Sequence, residues 1–342
     1  MAKKQVTFAD IAEYTGFSKT TISRYFNHPD SLTLENQEKI AKALDELGYK
    51  KNKLARVLAN GKSEFVGIIV PNLYLHYYSE MLTQLLRSYS DYHYKFLVFV
   101  SDGGPEKEIQ YLDELMAYKI EGLIVLSHTL SSEKLASYNI PVIAIEREAE
   151  HICSVTTDNY MGGMQATSLL IRNQCDVLIH INVHVPENVP AYDRIRAFEE
   201  TCQEYHVPYE LNLNVSGDSY QELFEQMCVI FQDIDSKYSG QKKGIFLSND
   251  TYANIFLNLI FQKYNCLPDE YQIIGFDNSP IAAESIIPIT TVGQQINVIA
   301  QTTMELLVEQ MNEMKKRKPA PLQKPIHKKI TPVLIRRQTT GD

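Results

Sequence analysis

From Glu64 onward, short apolar runs rich in β-branched residues alternate with longer amphipathic stretches. The runs at 65–70, 95–100, 122–126, 141–145, 177–182, 244–248 and 272–276 read as strands. The stretches near 78–91, 106–118, 161–173, 192–205, 219–235 and 251–264 read as helices with one apolar face. Strand and helix alternating this often imply parallel sheets covered by helices on both faces. So many strands divide most economically between two doubly wound α/β subdomains, with a ligand cleft at the carboxyl ends of the strands. Two such lobes can close on a ligand by hinge motion.

The first fifty residues follow a different rule. Thr7 with Asp10 three positions on forms a helix-capping pattern, Ile11 and Ala12 begin an apolar stripe, and Gly16 falls where a sharp corner between helices belongs. Ser18 is placed to cap a second helix. At helical spacing Lys19, Thr20, Ser23, Arg24 and Asn27 share an arc of roughly 140°, with Ile22, Tyr25 and Phe26 opposite. Thr33 can cap a third helix carrying Ile40, Ala41, Ala43, Leu44 and Leu47, ended by Gly48. The alternative is an ordinary helical hairpin with a solvated outer face. Three short helices with a cationic, hydroxyl-rich face favour a headpiece that enters a DNA major groove, where charge meets phosphates and short polar groups meet base edges.

Charge sharpens this division. Residues 1–62 hold 11 Lys+Arg and 7 Asp+Glu, a net of +4, whereas residues 63–342 hold 22 against 35, a net of −13. A basic head on an acidic body confines contact with a polyanion to the head. Composition is that of a soluble globular chain, at 44% hydrophobic and 22% charged residues. The five cysteines, Cys153, Cys175, Cys202, Cys228 and Cys266, have neither zinc nor redox spacing and read as buried reduced thiols of a cytoplasmic protein. No signal peptide and no membrane span is expected.

Polar residues gather just after the strands. Tyr74, His76, Tyr77 and Tyr78 follow the first, Glu146 and Arg147 the fourth, and Asn249, Asp250, Asp277 and Asn278 the last two, while Tyr192, Asp193 and Arg194 open a helix. Carboxylates, amides and an arginine beside tyrosine faces suit a polyhydroxylated ligand such as a sugar, although strand-end turns and helix caps favour Asn and Asp as well. No G-x-S-x-G elbow, P-loop, H-E-x-x-H or G-x-G-x-x-G occurs, and His180, His184 and His206 are scattered. Neither catalysis nor a cofactor nor a metal is called for. Between head and body, Asn52 to Gly61 has fair helix propensity but is too short to be stable alone. Such a segment, ordered only with a partner, is suited to couple two sites, with Leu58 as a minor-groove wedge and Lys53 and Arg56 near phosphates. A solvated linker is the equal alternative on local sequence.

Taken together, these residues resemble the LacI/GalR family of bacterial transcription regulators. The dense part of the likeness is Val6-Thr7, Asp10-Ile11-Ala12, Gly16, Ser18, Thr21-Ile22-Ser23-Arg24, Asn27, Gly48-Tyr49, Asn52, Ala55-Arg56 and Leu58. The body continues it more loosely through Val66-Gly67, Glu121-Gly122, Asp158-Asn159, Gly162-Gly163, Asn249-Asp250, Gly275-Phe276-Asp277, Thr290-Thr291-Val292 and Arg337. The resemblance implies a three-helix helix-turn-helix headpiece over 1–50, a hinge helix over 51–62, and a periplasmic-binding-protein-like body over 63–342. The body would comprise an N-lobe of 63–159 with 290–321 and a C-lobe of 160–289 with 322–342. Contacts with operator DNA are expected from Thr7, Ser18, Lys19, Thr20, Thr21, Ser23, Arg24 and Asn27, and from Asn52, Lys53, Ala55, Arg56 and Leu58 of the linker. An effector is expected at Tyr74, Tyr77, Glu146, Arg147, Arg194, Asn249, Asp277 and Gln294. The resemblance further implies a homodimer on a pseudo-palindrome. The expected function is a repressor of carbohydrate utilisation answering to a sugar or sugar phosphate. A global catabolite regulator with a phosphorylated carrier protein as co-effector, or a sugar-binding protein without a genetic role, are the alternatives. The Gln110-Tyr111-Leu112 and Ser127-His128 region leans towards the family's sucrose and ribose regulators. Five positions depart from the family pattern: Lys51 for proline, Tyr25 for a large aliphatic, Gln174-Cys175 for glycine–histidine, and Ala197 for glycine.

Overall fold

The computed structural model describes residues 6–49, 63–101, 104–215, 219–316, 318 and 324–341, and the chain divides into two compact units, Met1–Lys62 and Ser63–Asp342. The expectations for Lys51, Asn52, Lys53, Ala55, Arg56 and Leu58 lie outside the described residues.

In the first unit, α1 (Phe8–Thr15) starts from a capping box in which the Asp10 amide donates to Thr7 Oγ1 and the Thr7 amide donates to Asp10 Oδ2. It stops at Gly16, whose φ of 74° is a left-handed conformation that glycine adopts without a Cβ clash. Ser18 Oγ accepts the Thr21 amide at 3.1 Å and starts α2 (Lys19–Asn27), and Thr33 likewise caps α3 (Leu34–Glu46). One isoleucine per helix, Ile11, Ile22 and Ile40, is fully buried at the centre. Tyr25, the departure from an aliphatic, packs edge-on against Phe26 at 5.2 Å, and Phe26 stacks on Phe8 at 5.2 Å and tilts onto Tyr49 at 5.7 Å. An aromatic cluster therefore fills the space an aliphatic would have occupied.

The second unit holds two six-stranded sheets. The N-lobe contains β1 (Phe65–Val70), α4 (His76–Arg87), α5 (Tyr89–Tyr92), β2 (Lys95–Val100), α6 (Gly104–Ala117), β3 (Gly122–Val125), α7 (Ser132–Ala136), β4 (Val142–Ile145) and β5 (Cys153–Thr157). The C-lobe contains α8 (Asn159–Arg172), β6 (Val177–Ile181), α9 (Tyr192–Glu204), β7 (Tyr209–Asn212), α10 (Tyr220–Lys237), β8 (Lys243–Leu247), α11 (Asp250–Tyr264), β9 (Tyr271–Asp277), α12 (Pro280–Glu284) and β10 (Thr290–Gly293). The chain then returns to the N-lobe as α13 (Ile296–Met314) and β11 (His327–Ile330), and ends in the C-lobe with β12 (Val333–Ile335).

The sheet orders are β11-β5-β4-β3-β1-β2 and β12-β10-β9-β8-β6-β7, so each lobe repeats one doubly wound pattern, parallel throughout except for the β10–β12 pair. In that pattern a ligand crevice opens at the carboxyl ends of the strands where the order reverses, between β1 and β3 in one lobe and β6 and β8 in the other.

One expected lobe boundary needs correction and another is refined. β10 pairs with β9, so the chain leaves the C-lobe after Gly293, close to the expected crossing near 290. β11 pairs in parallel with β5, with His327 opposite Ser154, so the last crossing follows Ile330 and not 322. The cause is physical: the backbone of each of these strands completes a ladder left open by its neighbour. All five cysteines are unpaired, with Cys153, Cys175 and Cys202 buried, Cys228 half-buried and Cys266 exposed, so the expectation of burial fails for the last two. Among the described residues no helix is long and apolar enough to cross a membrane.

Candidate functional sites

In the headpiece, Ser18, Lys19, Thr20 and Arg24 are exposed along one side of α2, whereas Ile22 is fully buried on the other. Thr21 and Ser23 are half-buried at the edges of that face. Thr7 is exposed but already engaged as a cap, as is Ser18, whose Oγ also lies 2.9 Å from Thr21 Oγ1. The free polar surface of α2 is thus Lys19, Thr20 and Arg24. The side chain of Asn27 lies outside the described residues.

In the body a cavity of about 590 Å³ opens between the lobes. Tyr78 of α4 and His128 after β3 line it from the N-lobe; Asn182 after β6, and Ser248, Asn249 and Tyr252 at the start of α11, line it from the C-lobe. These are the strand ends at which the topology reverses. Arg147 and Asn249 are the expected effector residues in this wall.

Glu146, Arg194, Asp277 and Gln294 form a buried polar network joined to it. Glu146 Oε1 accepts the Thr157 amide, and its Oε2 accepts Asn159 Nδ2 at 2.9 Å. Asn159 Oδ1 accepts Arg194 Nε at 2.7 Å, and Arg194 Nη1 donates to the Ser248 carbonyl at 2.7 Å in the cavity wall. A second path runs from Thr157 Oγ1 to Gln294 Oε1 and from Gln294 Nε2 to Asp277 Oδ1, each at 2.6 Å. Glu146 and Thr157 belong to the N-lobe, Arg194 and Asp277 to the C-lobe, and Asn159 and Gln294 stand at crossings between them. Any relative movement of the lobes must therefore stretch or exchange these bonds. His76 Nδ1 adds a contact to Thr251 Oγ1 at 3.0 Å, from α4 of one lobe to α11 of the other.

Backbone geometry marks the same place. Glu146, just after β4, has φ 52°, and Asp277, at the end of β9, has φ 106°. β4 and β9 are equivalent strands of the two lobes, so the pseudo-repeat puts a carboxylate at positive φ on each side. Such conformations cost on the order of 1–3 kcal/mol each and persist where surrounding bonds hold them.

Burial pushes the Glu146 carboxyl upward against the pull of Arg194, and pushes Asp277 well above the carboxylate range, with Arg194 again opposing and Asp250 reinforcing. Arg194 lies 3.6 Å over the Phe276 ring, a cation–π contact that fixes its guanidinium plane. Its helix α9 approaches α8 closely because Gly163 is bare: a Cβ there would sit 2.9 Å from the Arg194 carbonyl oxygen and 3.0 Å from Ala197 Cβ. Ala197, in place of the family glycine, is accommodated by that gap. Gln174, also in place of a glycine, adopts φ 57°, and Cys175 beside it is buried in the α8–α9 core.

Arg147 lines the cavity wall and is held there by its own loop. It is 2% exposed, and its guanidinium donates to the carbonyls of Ser127, Leu130 and Glu148, which commits it to shaping the loop after β3. Tyr74 is half-buried; Tyr77 is 8% exposed, and its hydroxyl has no partner among the described residues. Tyr78 lines the cavity as the polar cluster after the first strand suggests, and His128, Asn182 and Tyr252 line it beside the expected effector residues. The strand-end rule points at all four, since each lies within eight residues of the end of a strand flanking a reversal. His180 is fully buried, its Nδ1 at 2.9 Å from the Phe246 carbonyl and its ring 4.6 Å from the Phe246 ring, and burial lowers its pKa to about 3, which makes it a neutral core residue.

Comparison with known proteins agrees with both halves. Residues 7–52 match the model of bacterial regulatory proteins of the lacI family. Residues 63–194 match periplasmic binding proteins and the sugar binding domain of the LacI family, and 169–340 match a periplasmic binding protein-like domain. The chain is 30% identical over 307 residues to the sucrose operon repressor of Streptococcus mutans, covering 89% of this chain and 92% of that protein. It is 28% identical over 313 residues to the ribose operon repressor of Halalkalibacterium halodurans, covering 90% and 91%. The crystal structure of the Lac repressor dimer bound to operator and the anti-inducer ONPF superposes with a TM-score of 0.81 at 19% identity, over 99% of this chain and 100% of that one, a likeness of fold. From its headpiece to its second lobe, the chain belongs to the lacI family of bacterial regulatory proteins.

Proposed function

We propose that this protein is a homodimeric repressor of a carbohydrate-utilisation operon, released from or tightened on its operator by a sugar bound between the lobes. The observation that carries the reading is the pairing, in one chain, of an exposed Lys19/Thr20/Arg24 face on a capped second helix with an interlobe cavity of about 590 Å³. Arg24 and Lys19 supply charge and fork donors for phosphates and guanine edges, and Thr20 a short hydroxyl for a base edge. Ser18, Thr7, Thr21, Ser23 and Asn27 flank that face and orient it on the backbone. Leu58 with Arg56, Lys53, Asn52 and Ala55 enters the minor groove at the operator centre, which couples two headpieces to one bend.

In the cleft, Asp277, Glu146, Asn249, Gln294 and Arg194 take the ligand's hydroxyls, with Tyr74 and Tyr77 beside them. Sugar operon repressors among the relatives support the carbohydrate class. Selection of the full-length protein on random DNA is expected to enrich a pseudo-palindrome bound by two copies, with affinity that falls steeply as salt rises. Enrichment of no motif, or of a single half-site bound by one copy, contradicts the reading.

A further inference from the structure

We propose that the interlobe cleft is built for an uncharged sugar and rejects the phosphorylated form of the same sugar. The inference rests on the sugar-receptor reading above and narrows it. A phosphate group is ordinarily held by free arginine forks, lysine ammonium groups or uncommitted backbone N–H groups. Two arginines stand at this cleft, and both are buried and already give two or three of their five N–H donors to the protein.

Arg147, the one cation in the cavity wall among the described residues, gives its donors to three carbonyls and stands between the charges of Glu108 and Glu148. Glu108 is itself fully buried and accepts from Ser101 and Ser127. Arg194 donates to Asn159 and Ser248 and stands between Glu146 and Asp277. Arg147, the cation of the cavity wall, thus faces Glu148 in the same wall and Glu108 behind it, so the described wall has no surplus positive charge to offer a dianion.

Apart from Glu148, the remaining wall holds no further Asp, Glu, Lys or Arg among the described residues. Tyr78 and Tyr252 present rings from opposite lobes, Asn182 and Asn249 present amides, and His128 is open to the cavity with its imidazole held below the usual pKa by the surrounding protein and by Arg147. Beneath them the Tyr77 hydroxyl, buried and without a partner among the described residues, is a donor suited to a ligand hydroxyl.

Calorimetry and thermal shift on the full-length protein test this with D-glucose, D-fructose, D-ribose and sucrose, each beside its own monophosphate. At least one free sugar is expected to bind and stabilise the protein, and its monophosphate to bind weaker by a factor of roughly ten or more. A monophosphate that binds as tightly as its parent sugar, or tighter, overturns the proposal and leaves the sugar-receptor reading standing. If neither member of any pair binds, the sugar-receptor reading itself fails and the proposal falls with it.

Discussion

Arg194→Ala is expected to weaken effector binding by roughly a hundredfold, as loss of hydrogen bonds to a charged group costs about 3 kcal/mol. It is also expected to destabilise the body by about 3–5 kcal/mol, because Glu146 and Asp277 then share a buried space with their common counter-charge removed. For a unit of this size that is a fall in Tm on the order of 10 °C. The two effects have one cause. Arg194 is the element of the C-lobe that reaches, through Asn159, to the N-lobe carboxylate Glu146. Arg194→Lys separates charge from geometry: it restores a cation but not the fork that meets Asn159 and Ser248 together, so it recovers stability in part and affinity little. Calorimetry and thermal unfolding on the three proteins check this, and an alanine variant with unchanged Tm and unchanged affinity rules out the assigned role.

Arg24→Ala is expected to leave the protein folded and able to bind effector while it loses its preference for the operator over scrambled DNA. Arg24 is exposed on α2, away from the Ile11, Ile22 and Ile40 core, so its removal opens no cavity. A bidentate contact to a base is worth about 1–3 kcal/mol, and a dimer loses two of them, so specific affinity drops by roughly 30-fold to 10⁴-fold. Binding to scrambled DNA changes far less, because the phosphate contacts of the face remain. Fluorescence anisotropy at one fixed salt concentration with both DNAs measures the ratio. A variant that keeps the wild-type ratio moves base reading to other residues.

Much of the architecture is legible in the chain because its strongest strands are uninterrupted apolar runs: β1, β3, β4 and β6 are almost wholly buried, as parallel strands between two helical layers must be. The strands that reading the sequence misses are the short edge strand β7 and those near the crossings. β5 (Cys-Ser-Val-Thr-Thr) is buried yet polar, and its hydroxyls serve the hinge: Ser154 Oγ lies 2.8 Å from His327 Nδ1, and Thr157 reaches Gln294. β11 (His-Lys-Lys-Ile) is an exposed edge strand whose charged residues read as loop. A ladder partner contributed from 173 positions away leaves no local trace. α13 is a different case. Its buried residues Ile296, Ile299, Ala300, Thr303, Met304, Leu307 and Met311 do recur at helical spacing, so the signal is present although no helix was assigned there.

The site divides along similar lines. Glu146, Arg194, Asp277 and Gln294 come together as the family resemblance implies, but their distances in the chain hide the two hydrogen-bond paths that link them. Tyr78 stands out as a polar residue after the first strand, whereas Tyr252 looks like an ordinary helix residue, and the meeting of α4 with α11 across the cleft turns the two into opposite walls. Arg147 lines the cavity as a polar residue at a strand end suggests, while the three carbonyls of its own loop that hold its guanidinium leave no trace in the sequence.

The central claim is that the two units share one equilibrium, so that a sugar in the cleft changes the grip of the headpieces on DNA and the operator changes the grip on the sugar by the same factor. The most direct measurement is a titration of the dimer with operator, with the cleft empty and with it saturated by the sugar found in the panel, followed by the sugar titration with and without operator. A change in operator affinity of roughly 5-fold to 150-fold, matched by an equal change in sugar affinity, is the expected result. Operator affinity that is the same with the cleft empty and full contradicts it.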